Sequence, residues 1–155
     1  MAELTELHEQ IIRGGVVFGA TVNDRGHPDI TRVFGVKVHD DRRTLRVLIG
    51  EAWLHPAAEN LRVGAWFALS FTFPPSYQSF QAKGRILRIE DVTDEDRAAA
   101  LVHRDEFARV CMTVGINETA LRYAHRPAVA VLFEIENLYC QTPGPGAGDP
   151  VGGAR

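Results

Sequence analysis

Six stretches rich in β-branched and aromatic residues, each closed off by turn formers, leave this chain few folds to choose from. The first, 16–22 (VVFGATV), lies between Gly14-Gly15 and the turn-rich Asn23-Asp24-Arg25-Gly26-His27-Pro28. A hairpin there predicts a second strand over 29–38. Its Ile30, Val33 and Val36 break strict alternation and place a bulge near Gly35. The third, 44–50 (TLRVLIG), alternates Leu45, Val47 and Ile49 with Thr44, Arg46 and Leu48. The fourth, 65–73 (AWFALSFTF), stops at Pro74-Pro75. The fifth covers 78–90, with Gly84 as a bulge or close-approach site, and the sixth runs over 128–139. Six strands in hairpin-like order would leave open edges, and closure into an antiparallel barrel removes them.

The rest of the pattern is helical. Leu4, Leu7, Ile11 and Ile12 recur at helical spacing over 3–13. Pro56 opens a short helix to Val63, at a position where its missing N–H costs little. Thr93 and the acidic residues after it start a long helix reaching Val110, and a shorter piece is expected over 117–123. Residues 1–142 read as a single domain. The tail, 143–155, holds too much Gly and Pro to pack as an element and is expected to be flexible.

The 155 residues suit one domain. Seventeen Lys and Arg against twenty Asp and Glu give a net charge of −3, which argues against a nucleic-acid partner. No apolar run reaches the ~18–20 residues of a membrane span. The opening MAELTELHEQ lacks the basic and then apolar pattern of a secretory signal, so the expectation is a cytoplasmic protein without a membrane partner. Cys111 and Cys140 fit neither a disulfide framework nor a CxxC site, and the six histidines show no HExxH spacing, so no metal is expected.

Four segments, taken in order, resemble the FMN-binding split-barrel family related to pyridoxamine 5′-phosphate oxidase. They are the hairpin VVFGATVNDRGHPDITRV, the Glu59-Asn60-Leu61 run, the strand Phe80-Gln81-Ala82-Lys83-Gly84-Arg85, and the QTPGPGAG tail of one short branch. The resemblance implies a mainly β, six-stranded antiparallel split β-barrel with flanking helices. It further implies a homodimer holding FMN in grooves between subunits, with the flavin performing oxidoreductase chemistry. Pyridoxamine phosphate is not the expected substrate, because the Arg- and Trp-containing C-terminal segment of the oxidase proper is replaced by a Gly/Pro tail.

A dianionic phosphate needs cations or backbone N–H donors. Arg32 and Lys37 match the family's basic pair on the second strand, with Val33 counted among the cofactor contacts. Their odd spacing puts them on opposite faces of a regular strand, and a bulge at Gly35 would bring both to one groove. The other reading is a pair of solvated cations. Gly50, Glu51 and His55 form a second phosphate candidate before a helix N-terminus. The family usually supplies a hydroxyl and a cation there; Ala52, Trp53, His55 and Ala57 depart from that pattern, and Glu51 repels a phosphate. Gln81 is the candidate contact to the ring edge, since an amide both donates and accepts. Asn60 serves either a ligand or a nearby backbone group. Trp53, Trp66, Phe71, Phe73, Tyr77 and Phe80 read as core or interface, with one or two free to wall a flat ring. The departures around His55 keep two alternatives open: a non-catalytic flavin- or heme-binding module, and a deazaflavin-dependent reductase on the same fold.

Overall fold

The computed structural model describes residues 2–52, 54, 58–117 and 126–152. The first helix, α1 (Glu6–Gly14), starts where Thr5 and His8 satisfy one another's backbone N–H groups in a capping box. Six strands follow: β1 (Val16–Val22), β2 (Pro28–Val38), β3 (Thr44–Gly50), β4 (Trp66–Thr72), β5 (Ser79–Glu90) and β6 (Pro127–Cys140). A long helix, α2 (Asp94–Thr113), is inserted between β5 and β6 and is capped by Thr93 and Asp96. The strands close antiparallel in the order β1-β2-β3-β6-β5-β4. The barrel read from the sequence is the barrel observed, with strand ends differing by one residue.

Alternation fills the interior. Phe67 meets Phe133 edge-on, ring centroids 5.7 Å apart, and Phe71 stacks on Phe80 at 4.5 Å. Leu4, Ile11 and Ile12 are buried and join this core, so α1 closes one end of the barrel.

One expectation is overturned: residues 58–63 are turn and irregular backbone where a helix to Val63 was read, and Glu51, Ala52 and Leu54 are helical instead. Asn60 and Leu61 are buried there, and fixing them against the barrel outweighs helical propensity. Pro56 and most of 117–123 lie outside the described residues.

Residues 141–151, much of the stretch expected to be a flexible tail, return along β6. Gly148 N–H donates to Cys140 O at 2.7 Å, Cys140 N–H to Asp149 O at 2.9 Å, and Val151 N–H to Leu138 O at 2.8 Å. Val151 packs against the core. Gly144 and Gly148, at φ +148° and +91°, supply the backbone reversal. No helix among the described residues is long and apolar enough to cross a membrane.

Candidate functional site

The outer wall of the barrel carries a groove because two small residues face one another on it. Ala20 of β1 is paired with Ala68 of β4, so the wall is bare at its centre. Phe18, Ile30, Ser70 and Gln81 stand around that floor, enclosing about 360 Å³. A smaller neighbouring groove of about 260 Å³ reaches Pro28, Trp66 and Lys83. Phe18, Ile30 and Trp66 are 39%, 62% and 41% exposed, an apolar patch that water alone does not favour. Cations sit on the aromatic faces: Arg85 lies 3.8 Å from the Trp66 ring centroid and Arg32 4.8 Å from that of Phe18.

The β2 bulge falls where the sequence placed it. Pairing with β3 shifts between Val33 and Gly35, leaving Phe34 as the extra residue. Its ring occupies the space where a Cβ on Gly50 would otherwise be. The shift lets Arg32, Gly35 and Lys37 share the outer face. They have different partners there. Arg32 packs between the rings of Phe18 and Phe107, whereas Lys37 pairs with Glu95 at 2.9 Å.

The other sequence candidates are dispersed. Gln81 lines the outer groove, in register with Ser70 and Tyr139. The Val33 side chain is buried inside the barrel and does not reach that face. Asn60 is buried, and its amide donates to Thr21 Oγ1 at 3.2 Å and Asp29 Oδ2 at 3.0 Å, pinning the β1–β2 hairpin. Glu51 lines a separate groove with Arg97, Leu101, Arg126 and Pro127, beside β3 and β6. His55 and Trp53 lie outside the described residues. Of the aromatic candidates, Phe71 and Phe80 are core, Phe73 is half-buried, and Trp66 and Tyr77 are exposed. Sequence reasoning missed Phe18, Ile30 and Ser70; the available signal was their alternation with the interior residues Val17, Gly19 and Leu69.

The Arg46 cluster is structural. Arg46 Nε and Nη2 donate to Asp96 at 2.8 and 2.7 Å, and Nη1 donates to Glu90, fastening the start of α2 to the barrel. The Arg46 guanidinium holds the Asp96 carboxyl well below the usual carboxylate range. Burial pushes the Cys111 thiol up, consistent with an inert side chain. Among the described residues no three His, Cys, Asp or Glu side chains converge as a metal site requires.

His8 is the titratable group whose burial sets a pH response. Its Nδ1 accepts the Thr5 N–H at 3.0 Å and its ring lies 4.5 Å from Phe80, so the fold needs it neutral. Burial lowers its pKa from the ordinary 6.5. Below that value the unfolded chain binds a proton that the folded chain resists, so stability falls as pH drops through 6.5. His8→Gln keeps a capping-box partner and cannot titrate. Melting curves between about pH 5 and 8 are expected to show a smaller acid-side loss in this variant. Identical pH profiles would remove His8 from the response.

No family model and no curated protein matches the chain in sequence. Solved structures do match it in shape. HupZ of Group A Streptococcus superposes with a TM-score of 0.56 at 14% identity, covering 94% of this chain and 99% of that one. A candidate pyridoxamine 5′-phosphate oxidase from Lactobacillus delbrueckii gives 0.56 at 20% identity, covering 88% and 93%. The chain has the split-barrel fold of the pyridoxamine 5′-phosphate oxidase-related proteins. An F420 reductase shares this split barrel at a TM-score of 0.50 and 16% identity, covering 87% and 98%.

Proposed function

We propose that this split barrel binds FMN in the outer-face groove and works as a cytoplasmic, flavin-dependent oxidoreductase-like homodimer. The observation that carries the reading is the groove itself: a bare Ala20–Ala68 floor, apolar walls at Phe18 and Ile30, and the Gln81 amide at its edge. A flat ring needs apolar faces and a few edge contacts, and the amide offers both a donor and an acceptor. When bound, a flavin supplies hydride or electron transfer. The chain's part is to hold it, orient its edge through Gln81, and exclude water. One wall of a barrel leaves the opposite side open, so a second copy seated on Phe18, Ile30 and Trp66 completes the enclosure. Arg32, packed on Phe18 at the margin of the groove, is the phosphate contact in this reading, and Lys37, paired with Glu95, is a second cation on the same face. A deazaflavin in place of FMN is the second reading, supported by the F420 reductase of like fold.

Flavin fluorescence is the test. FMN and riboflavin are expected to be quenched saturably, and Ala68→Arg, which fills the floor, is expected to abolish both. Arg32→Ala is expected to weaken FMN by about ten- to hundredfold and leave riboflavin unchanged, because only the charge-assisted phosphate contact is lost. Quenching by neither flavin would overturn the FMN reading. Retention of F420 alone would establish the deazaflavin, and a Soret band on adding heme would replace both.

A further inference from the structure

The seam between α1 and α2 holds a concavity with a chemistry of its own. It encloses about 350 Å³ and is floored by Gly14, Phe73 and Val110. The floor is apolar because the helices meet at a glycine: a Cβ on Gly14 would lie 2.9 Å from Val110 Cγ2 and 3.1 Å from the Phe73 ring. The rim is polar, with Gln10 and Arg13 from α1 and Glu106, Arg109 and Thr113 from α2. Its charges do not cancel. Glu9 is held by Arg42 at 3.1 Å and reaches Arg13 only at 3.7 Å, so these three groups sum to +1. Arg109 and Glu106 offset each other. One positive charge therefore stands over an apolar floor.

We propose that this groove binds a monoanionic carboxylate carrying a short aromatic or acyl body. The guanidinium groups of Arg13 and Arg109 match the carboxylate in geometry as well as sign, while Phe73 and Val110 take the apolar body out of water. A dianionic phosphate is disfavoured, since its second charge would face Glu106. The site shares no residue with the outer-face groove and stands independently of the flavin reading.

Benzoate and octanoate are the probes, with benzyl alcohol as the uncharged control, read by NMR at the Val110 methyls and the Phe73 ring. Saturable shifts are expected with both carboxylates and weaker ones with the alcohol. Arg109→Gln should weaken binding by about three- to tenfold, a modest effect because these arginines face solvent, and added salt should reduce it further. Glu106→Gln should tighten binding instead. No saturation by either carboxylate would overturn the proposal. So would equal binding of benzyl alcohol, an unchanged affinity in Arg109→Gln, or the two variants moving affinity the same way.

Discussion

Gly84→Val is expected to cost this protein more than about 4 kcal/mol, a large part of the 5–15 kcal/mol that holds a typical domain together. Gly84 sits at a register shift between β5 and β6, and a Cβ there would overlap the carbonyl oxygen of Glu134. The next nearest atoms, Glu134 C at 2.9 Å and Glu136 N at 3.0 Å, are backbone as well. No rotamer change relieves such a contact, so β6 has to move away from β5. Gly84→Ala already carries the offending atom and should show most of the loss. Gly26 is the control, since it sits at φ +79° with nothing within 4 Å, and alanine there meets only backbone strain of about 1 kcal/mol. Urea unfolding midpoints measure all three. A Gly84→Ala protein as stable as the wild type would show that β6 yields freely at this point.

Phe67→Ala carries the second large effect. Phe67 is 1% exposed, meets Phe133 edge-on, and lies directly beneath the wall that Ala68 presents to the outer groove. Emptying a core aromatic site costs about 3–5 kcal/mol. For a chain of this size that lowers Tm by roughly 6–20 °C. The packing explains Gly19 too: a Cβ there would come within 2.7 Å of the Phe67 ring tip. Gly19→Ala is therefore destabilising alone and expected to be partly rescued by Phe67→Leu, which withdraws the ring. Strictly additive effects in the double variant would mean that the two positions do not share space.

Strand identity was legible because β-branched alternation and Gly/Pro turns are local signals, and all six strands follow from them. Barrel closure was legible from the edges that six strands would otherwise leave. The bulge beside Gly35 could be read from broken alternation, yet what it does for Arg32 and Lys37 could not. Which partner a cation meets depends on α2, whose docking through Arg46 and Asp96 joins residues 50 apart. The outer groove was only half visible. Gln81 stood out as a polar strand residue, whereas Phe18 and Ile30 carried no signal of their own, and only the closed barrel shows that they point outward. Asn60 was the reverse case, since its partners Thr21 and Asp29 belong to a hairpin 30 or more residues earlier in the chain.

The position of β6 has a consequence for how the chain is made. It is hydrogen-bonded to β3 on one side and β5 on the other, and it is the last of the six strands in sequence. Until it has left the ribosome, the nascent sheet ends in two unsatisfied edges and the Phe67 side of the core has no Phe133 to meet. For a protein synthesised at about 5–20 residues per second, the interval between the end of β5 and the arrival of β6 lasts seconds. During it, α2 is the element available to shelter the sheet. A ribosome stalled in that stretch would release a chain primed for edge-to-edge aggregation, which makes the passage from residue 90 to 140 the vulnerable phase of its biogenesis.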